Sequence, residues 1–234
     1  MDVVTTPQSS TRWSLFLELE RFWLLWRFRH NVPPMRLWWR LVLKRIVDVA
    51  ATLVGVVVTA PIMAAIALAI KLDSAGPVFY RQDRVGYFGR TFKMWKFRTM
   101  GIDAEAAGPV WAGSAQDDPR VTRVGRVLRQ IHLDELPQLF NVLTGDMSLV
   151  GPRPERPCFV EQLEAVVPDY DRRLYVRPGI TGLAQVHYRY DQTVADVKRK
   201  LRFDLLYVTR MCLMLDARIL AWTLIVVVTG RGMR

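Results

Sequence analysis

The longest apolar stretch of the chain covers residues 49–70 and contains no charged side chain. As a straight α-helix it would be about 33 Å long, enough to cross a hydrocarbon core of about 30 Å. Tryptophan and arginine side chains precede it, a composition typical of the membrane interface. The pattern therefore predicts a membrane helix, and a single spanning helix is the simplest interpretation.

Two features of this stretch favour a helix that enters and leaves the membrane on the same side. Pro61 lies near its middle and kinks a helix, because it cannot donate a hydrogen bond to the preceding turn. Basic residues flank both ends, with Lys44 and Arg45 before and Lys71 after, and the positive-inside tendency places both ends in the cytoplasm. We therefore predict a re-entrant helix over residues 35–72, broken at Pro61, with a spanning helix as the alternative.

The hydrophobic pattern changes after residue 73. Two short strands are predicted at residues 78–81 and 90–97, joined by a glycine-containing turn at 86–89. Helices are predicted further on, and the last of them is too short to cross a membrane. These helical segments are 155–167, 196–209 and 219–228.

The elements predict an α+β chain that is mainly helical. A re-entrant membrane helix, interfacial amphipathic helices and a small β-hairpin would surround a cytoplasmic catalytic site. Residues 1–34 would form an N-terminal extension, in which the aromatic segment 13–28 is a candidate interfacial helix. The re-entrant helix at 35–72 and a cytoplasmic domain at 73–234 would complete the chain.

Composition and charge narrow the class of protein. The chain has 234 residues, of which 51% are hydrophobic and 8 are tryptophan, and this fits one membrane-associated domain with an appendage. Its net charge of +11 suits nucleic acid, an anionic membrane surface or a phosphorylated substrate. Since no recognised nucleic-acid motif is present, we expect membrane lipid and phosphate as partners and no nucleic acid. Cys158 and Cys212 lack metal-type spacing, which favours a reducing compartment.

Candidate chemistry is concentrated between residues 123 and 153. The adjacent acidic pair Asp134 and Glu135 lies between arginines that recur every third residue and a Gly-Pro-Arg-Pro turn that carries Arg153. Pro137 predicts a helix start with Asp134 as N-cap, where the helix end would keep the pKa of its carboxyl low. An ionised aspartate beside arginines is a candidate nucleophile toward phosphorus, and Glu135 is a candidate Mg²⁺ ligand. An ordinary capping pair without chemistry is the alternative.

The segment 133–139, Leu-Asp-Glu-Leu-Pro-Gln-Leu, resembles the signature of the bacterial sugar transferases, the monotopic polyprenyl-phosphate phosphoglycosyl transferases. Further blocks match in the expected order, which makes the resemblance specific from about residue 44 onward. They are Lys-Arg with Asp at 44–48, Gly-Pro-Val-Phe at 76–79, Lys-Phe-Arg-Thr-Met at 96–100, Gly-Pro-Arg-Pro at 151–154 and Arg-Pro-Gly-Ile-Thr-Gly at 177–182. His132 departs from the small hydroxyl residue expected there; it is either a pH-sensitive neighbour of Asp134 or a neutral substitution.

The resemblance implies a phosphoglycosyl transferase, monotopic at the cytoplasmic face of the bacterial inner membrane. Such an enzyme moves a sugar-1-phosphate, here expected to be a hexose-1-phosphate, from a UDP-sugar to undecaprenyl phosphate and initiates exopolysaccharide or related glycoconjugate synthesis. Asp134 would carry a covalent phosphosugar and Glu135 would hold Mg²⁺. The phosphate-binding residues would be Arg129, Arg153, Lys96 and Arg98. A homodimer is left open.

The competing interpretation is a non-catalytic scaffold of a polysaccharide assembly complex, bound to anionic lipid through its basic surface. The acidic pair discriminates between the two. Two carboxylates among arginines serve phosphoryl transfer, whereas a lipid-binding scaffold gains nothing from them. The sequence therefore favours the enzyme.

Overall fold

The computed structural model describes residues 34–104, 118–188 and 193–229. The candidate interfacial helix at 13–28 lies outside the described residues. The chain divides into two compact units, residues 1–43 and 44–234, and the candidate chemistry lies entirely in the second unit.

The predicted membrane helix is present as α1, Pro34–Asp73, which is 40 residues long. Its first residue is a proline, which a first helical turn tolerates because the missing N–H has no partner there. Helical structure continues on both sides of Pro61, and the hydroxyl of Thr59 donates to the carbonyl oxygen of Gly55 over 2.7 Å. The predicted break at Pro61 therefore does not divide α1 into two helices.

Much of the apolar surface of α1 is exposed. Among the described residues, α1 is the one helix long and apolar enough to cross a membrane. Only 17% of its most apolar segment is buried within the protein, and bulky side chains such as Val54, Val57 and Leu68 are exposed. A core helix of a soluble protein would bury these side chains, so the surface indicates membrane association.

A β-hairpin follows α1, as predicted. Strand β1, Phe79–Val85, pairs antiparallel with β2, Thr91–Phe97, and Tyr80 lies opposite Lys96. The connecting turn, Tyr87–Gly89, includes a non-glycine residue with positive φ. β1 is longer than predicted because its pairing continues to Val85, which is buried in a hydrophobic cluster with Val160 and Leu163.

The hairpin contacts α1 through one hydrophobic cluster. This cluster also includes helix α2, Arg123–Gln130, which begins after Thr122, whose hydroxyl accepts from the backbone N–H of Gly125 over 2.9 Å. Its buried members are Met63, Ile66 and Ile70 of α1, Phe97 of β2 and Leu128 of α2. The C-terminal part of α1 is thus part of the core that supports the acidic pair.

A short parallel pair of strands, which the sequence did not predict, lies beyond the next helix. Helix α3, Gln138–Thr144, ends at Gly145 with a φ of 95°, and β3, Ser148–Val150, pairs with β4, Gly179–Thr181. The backbones of Gly151 and Gly179 approach so closely that a Cβ on Gly179 would overlap the amide nitrogen of Gly151. Glycine is required here for space.

The remaining helices form the second half of the core. They are α4 (Pro157–Val166), α5 (Leu183–His187), α6 (Val194–Arg210) and α7 (Leu213–Thr229), with a 3₁₀ turn at Tyr170–Tyr175 between α4 and β4. The predicted helices at 155–167 and 196–209 are confirmed to within two residues at each end, and the fold is mainly helical as predicted. The predicted segment 219–228 is also helical, as part of the longer α7. α7 begins earlier than predicted because the charged Asp216 in its first turn is buried and paired.

A buried polar network holds the residues that follow Leu43 in α1. Lys44 Nζ lies 2.8 Å from Asp216 Oδ2 and 3.5 Å from Asp48 Oδ2. Ser148 donates to Asp48 over 2.7 Å, and the hydroxyl of Tyr207 donates to Asp216 over 2.8 Å. The network therefore joins α1 to β3, α6 and α7.

Candidate active site

Asp134 and Glu135 lie in the 3₁₀ turn Leu133–Glu135, which connects α2 to α3. The chain enters the turn through His132, whose φ of 59° lies in the left-handed region. Both carboxylates are buried: Asp134 is 8% exposed and Glu135 is 9% exposed. Neighbouring charges and burial therefore decide their protonation.

Asp134 is not the N-cap of α3, so that prediction was wrong. α3 begins at Gln138, and Pro137 is its N-cap. The physical reason is packing, because Leu133 and Leu136 contact the cluster shared by α1, β2 and α2. The turn is held against this cluster, and the helix starts after it.

Glu135 is clamped by two cations from distant parts of the chain. Its Oε1 accepts from Lys96 Nζ over 2.8 Å and from Arg153 Nη2 over 2.7 Å, and Arg153 Nη1 lies 3.4 Å from Oε2. Burial alone would raise the pKa of Glu135, but the charges and hydrogen bonds of Arg153 and Lys96 outweigh it and hold that pKa well below its usual range. Glu135 is therefore ionised at neutral pH.

The negative charge of Asp134 is balanced less fully by nearby cations than that of Glu135. Its nearest cation is Lys96, whose Nζ lies 3.8 Å from Oδ2 and donates instead to Glu135. The pKa of Asp134 is raised, chiefly by burial and further by the charge of Glu135, although Lys96 and Arg153 oppose the shift. The prediction of a low pKa was wrong, since the helix end lies elsewhere. A carboxylate whose charge is only partly balanced by cations is a better nucleophile than one held by two short hydrogen bonds to cations.

The backbone of Arg153 is held in place by its neighbours. It follows the close approach of Gly151 and Gly179, and its carbonyl oxygen accepts from Arg173 Nη2 over 2.7 Å. Arg173 is only 6% exposed and also donates to Asp204 over 3.0 Å. The fork of Arg153 is thereby fixed toward Glu135, which suits recognition of a carboxylate or phosphate.

The other two predicted phosphate-binding residues lie apart from the carboxylates. Arg98 is buried, and its guanidinium donates to the carbonyl oxygens of Ala75 and of Ser74, the latter over 2.8 Å. Within the described chain, neither Arg98 nor Arg129 forms a hydrogen bond or ion pair with Asp134 or Glu135. Arg98 Nε and Arg129 Nη1 are buried without an acceptor. Each retains a donor for a ligand anion.

Sequence reasoning missed two supporting groups. Gln138 is 2% exposed, and its Nε2 is buried without an acceptor. Its spacing of three from Glu135 and from Asn141 was the signal that could have drawn attention to it. The pair Arg173 and Asp204 was also missed, because its members lie far apart in the chain and nothing local links them.

A Mg²⁺ ion at this site would need ligands from a bound substrate as well as from the protein. Among the described residues no group of three or more His, Cys, Asp or Glu side chains is placed to hold a metal. Mg²⁺ is usually bound by one or two carboxylates together with substrate phosphates. Glu135 Oε2 fits that mode, because the two short hydrogen bonds go to Oε1.

The arrangement can bind and transfer a phosphoryl group. Lysine and arginine compensate negative charge, a rigid ionised glutamate orients them, and a second carboxylate beside it is free to form a bond to phosphorus. The long apolar helix next to the site places this chemistry in a membrane-associated protein. The arrangement therefore fits the class of membrane-associated phosphoryl transferases.

Comparison with known families agrees with this class. The profile of the family described as bacterial sugar transferase matches residues 39–230. The chain therefore belongs to the bacterial sugar transferase family, as the sequence blocks indicated.

Similar proteins carry related names. A UDP-N-acetylgalactosamine-undecaprenyl-phosphate N-acetylgalactosaminephosphotransferase of Aeromonas hydrophila is 46% identical over 193 residues, 82% of this chain and 45% of that protein. A UDP-glucose:undecaprenyl-phosphate glucose-1-phosphate transferase of Escherichia coli is 42% identical over 77% of this chain and 39% of that protein. The exopolysaccharide production protein PSS of Rhizobium leguminosarum is 41% identical over 82% of this chain and 98% of that protein. The chain thus spans less than half the length of the first two relatives.

Proposed function

We propose that the protein transfers a sugar-1-phosphate from a UDP-sugar to undecaprenyl phosphate and so initiates exopolysaccharide or related glycoconjugate synthesis. The observation that carries this proposal is the buried pair, in which Glu135 is clamped by Lys96 and Arg153 while Asp134 is left under-compensated. The names of the similar proteins support it, since they include undecaprenyl-phosphate sugar transferases. The donor sugar is a hexose or an N-acetylhexosamine.

The transfer proceeds in two steps. An oxygen of ionised Asp134 forms a bond to the sugar-linked phosphorus, the bond from that phosphorus to the bridging oxygen breaks, and its electron pair leaves with uridine monophosphate. A phosphate oxygen of undecaprenyl phosphate then attacks the same phosphorus, and Asp134 departs as a carboxylate. Splitting the reaction lets one site serve a soluble donor and a lipid acceptor in turn.

The cations of the site have separate tasks. Arg153 and Lys96 compensate charge beside the reacting phosphorus, while Arg129 and Arg98 direct their unpaired donors to phosphate oxygens of the donor. Mg²⁺, bound by Glu135 and by diphosphate oxygens, would supply further charge neutralisation.

The contacts of α1 support a monotopic topology at the cytoplasmic face of the inner membrane. Lys44 and Asp48 bond to the catalytic unit near the start of the helix, and Ile66 and Ile70 pack on the same unit near its end. A helix that crossed the bilayer would place these two regions on opposite sides. With both regions held by one unit, the exposed face of α1 contacts the membrane from one side.

The deciding experiment measures release of uridine monophosphate by purified protein in detergent with Mg²⁺ and undecaprenyl phosphate. UDP-glucose, UDP-galactose and UDP-N-acetylgalactosamine are compared. One of these sugars is expected to give the nucleotide and a lipid-linked product. Asp134→Asn and Glu135→Gln should abolish both products, whereas Glu164→Gln, at an exposed position on α4, should retain them. A wild-type protein that is inert while still binding lipid vesicles would favour the scaffold.

Omitting the acceptor tests the covalent step. Wild-type protein should then release uridine monophosphate in one burst, and its mass should increase by one sugar-phosphate group. Asp134→Asn should show neither change. Nucleotide release that strictly requires the acceptor, with no increase in mass, would contradict the intermediate on Asp134.

Topology is tested separately by labelling. Ile46 is 59% exposed and Leu72 is 80% exposed, so each can be replaced singly by cysteine in a protein whose Cys158 and Cys212 are serine. A membrane-impermeant maleimide should label both positions in inside-out vesicles and neither in intact spheroplasts. Labels that report opposite sides would overturn the monotopic topology.

A further inference from the structure

Three buried side-chain nitrogen donors of the described residues lack acceptors. They are Arg98 Nε, Arg129 Nη1 and Gln138 Nε2. A buried donor without an acceptor is unfavourable, and native proteins rarely retain one without a reason. Oxygens of an ionised phosphate accept hydrogen bonds and donate none, so a phosphate group has the chemistry to satisfy a donor of this kind. Arg98 and Arg129 already have a place in the proposed reaction, whereas Gln138 does not.

The neighbours of Gln138 show where it lies. Glu135, three residues before, bonds to Lys96 of β2. Asn141, three residues after, accepts from the backbone N–H of Trp95 over 2.9 Å and donates to the carbonyl oxygen of Lys93 over 2.9 Å. Glu135 and Asn141 therefore face β2, and all three side chains are buried. The spacing of three residues on either side places Gln138 between Glu135 and Asn141 along the same face, adjacent to Glu135.

We propose that the side-chain amide of Gln138 donates a hydrogen bond to a non-bridging oxygen of the phosphorus that Asp134 attacks. This assignment rests on the proposed function and makes Gln138 a catalytic residue of it. Negative charge on that oxygen must be stabilised while the bond from Asp134 forms and the bond to the bridging oxygen breaks. A neutral amide can stabilise this charge without adding another cation to the site. An additional cation would compete with Lys96 and Arg153 for the carboxylate of Glu135.

The free protein retains an unpaired amide for this purpose, and this has a measurable consequence. A donor held ready for the transition state costs no reorganisation when the reaction occurs. Its removal should therefore lower kcat without lowering the stability of the free protein. A glutamine with a purely structural role would behave in the opposite way.

The test uses Gln138→Met, since methionine has a similar length and no donor. We expect kcat for uridine monophosphate release to fall about 100-fold, the usual effect of removing one donor to a developing oxyanion. KM should rise by a smaller factor, because the same phosphate oxygen already accepts from the amide when the donor binds. The thermal midpoint of the free variant should equal or exceed that of wild type. Gln138→Glu should be less active than Gln138→Met, because it brings a negative charge to the phosphate. Gln162→Met, at an exposed position on α4, should match wild type in every measurement.

Two results would overturn the proposal. One is a kcat for Gln138→Met within about threefold of wild type, which is far smaller than the loss of an oxyanion donor causes. The other is a lowered thermal midpoint together with lost activity, because the amide would then have a partner within the protein.

A second measurement separates this proposal from the proposed function. UDP is added to each protein, and the increase in thermal midpoint is recorded without turnover. UDP should raise the midpoint of wild type more than that of Gln138→Met. If wild type is inert with every donor sugar but this difference is present, the diphosphate contact stands and the proposed reaction fails. If UDP stabilises both proteins equally, the contact itself is wrong.

Discussion

Replacing Arg173 with methionine would remove the side chain that holds the backbone carbonyl of Arg153 in place. Arg173 is 6% exposed and donates to Asp204 over 3.0 Å, to the hydroxyl of Tyr170 over 2.8 Å and to the carbonyl oxygen of Arg153 over 2.7 Å. Asp204 is 4% exposed, and without Arg173 its charge would remain buried and unpaired. Breaking a buried pair in this way costs about 3 to 5 kcal/mol. For a chain of this size that corresponds to a fall of roughly 6 to 20 °C in thermal midpoint.

A double variant distinguishes the effect of an unpaired charge on Asp204 from the effect of losing the support of Arg153. In Arg173→Met/Asp204→Asn no buried charge is left unpaired, so most of the lost stability should return. Activity should not return, since the carbonyl oxygen of Arg153 still lacks its donor and the guanidinium is no longer fixed. The assay is thermal unfolding in detergent, followed by tryptophan fluorescence, together with uridine monophosphate release at saturating donor.

Either of two results would refute this reasoning. A single variant within about 1 kcal/mol of wild type would show that the buried pair contributes little, as many exposed ion pairs do. A double variant that recovers both stability and turnover would show that Arg173 compensates Asp204 without positioning Arg153.

Three further predictions concern the carboxylates and one glycine. Because the pKa of Asp134 is raised and the proposed reaction uses its ionised form, activity should fall on acidification at a pH above the ordinary aspartate value of about 3.9. An acid limb below that value in a kcat/KM profile would contradict the raised pKa of Asp134. In thermal unfolding at pH 8, Asp134→Asn should be more stable than wild type, since a raised folded pKa means that stability is lost as pH rises through it. Glu135→Gln should be less stable, since its depressed pKa gives stability at all pH values above the ordinary glutamate range; equal shifts would contradict both assignments. Gly179→Ala should lose about 1 to 3 kcal/mol by overlap with Gly151, whereas Gly101→Ala, in open space, should not.

Local patterns predicted the elements well, and long-range packing decided the site. The hairpin is predictable from the segments that flank Gly86 and Gly89, and α1 from its uncharged run. The contacts of Lys96 and Arg153 with Glu135 are not predictable in this way. Lys96 comes from β2 and Arg153 from the turn after β3, and only the folded chain brings them together.

The errors have the same origin. Pro137 correctly indicated a helix start, but Leu133 and Leu136 pack on the cluster shared by α1, β2 and α2 and keep the acidic pair in a separate turn. The pKa of Asp134 was misjudged for a related reason, since burial by distant segments is invisible in a local sequence. Strands as short as β3 leave too few positions for a period to be recognised.

The polar network near the start of α1 fixes the rotation of that helix about its own axis. Lys44, Asp48 and Thr52 recur every fourth residue and are buried together, so turning the helix would expose charges that now have partners. The side that carries Val54 and Val57 is thereby the exposed side of the helix. Apolar exchanges on that side leave the turn that carries Asp134 and Glu135 in place. One inserted residue between Asp48 and Met63 would turn the following segment by about 100° and withdraw it from the core beneath Asp134.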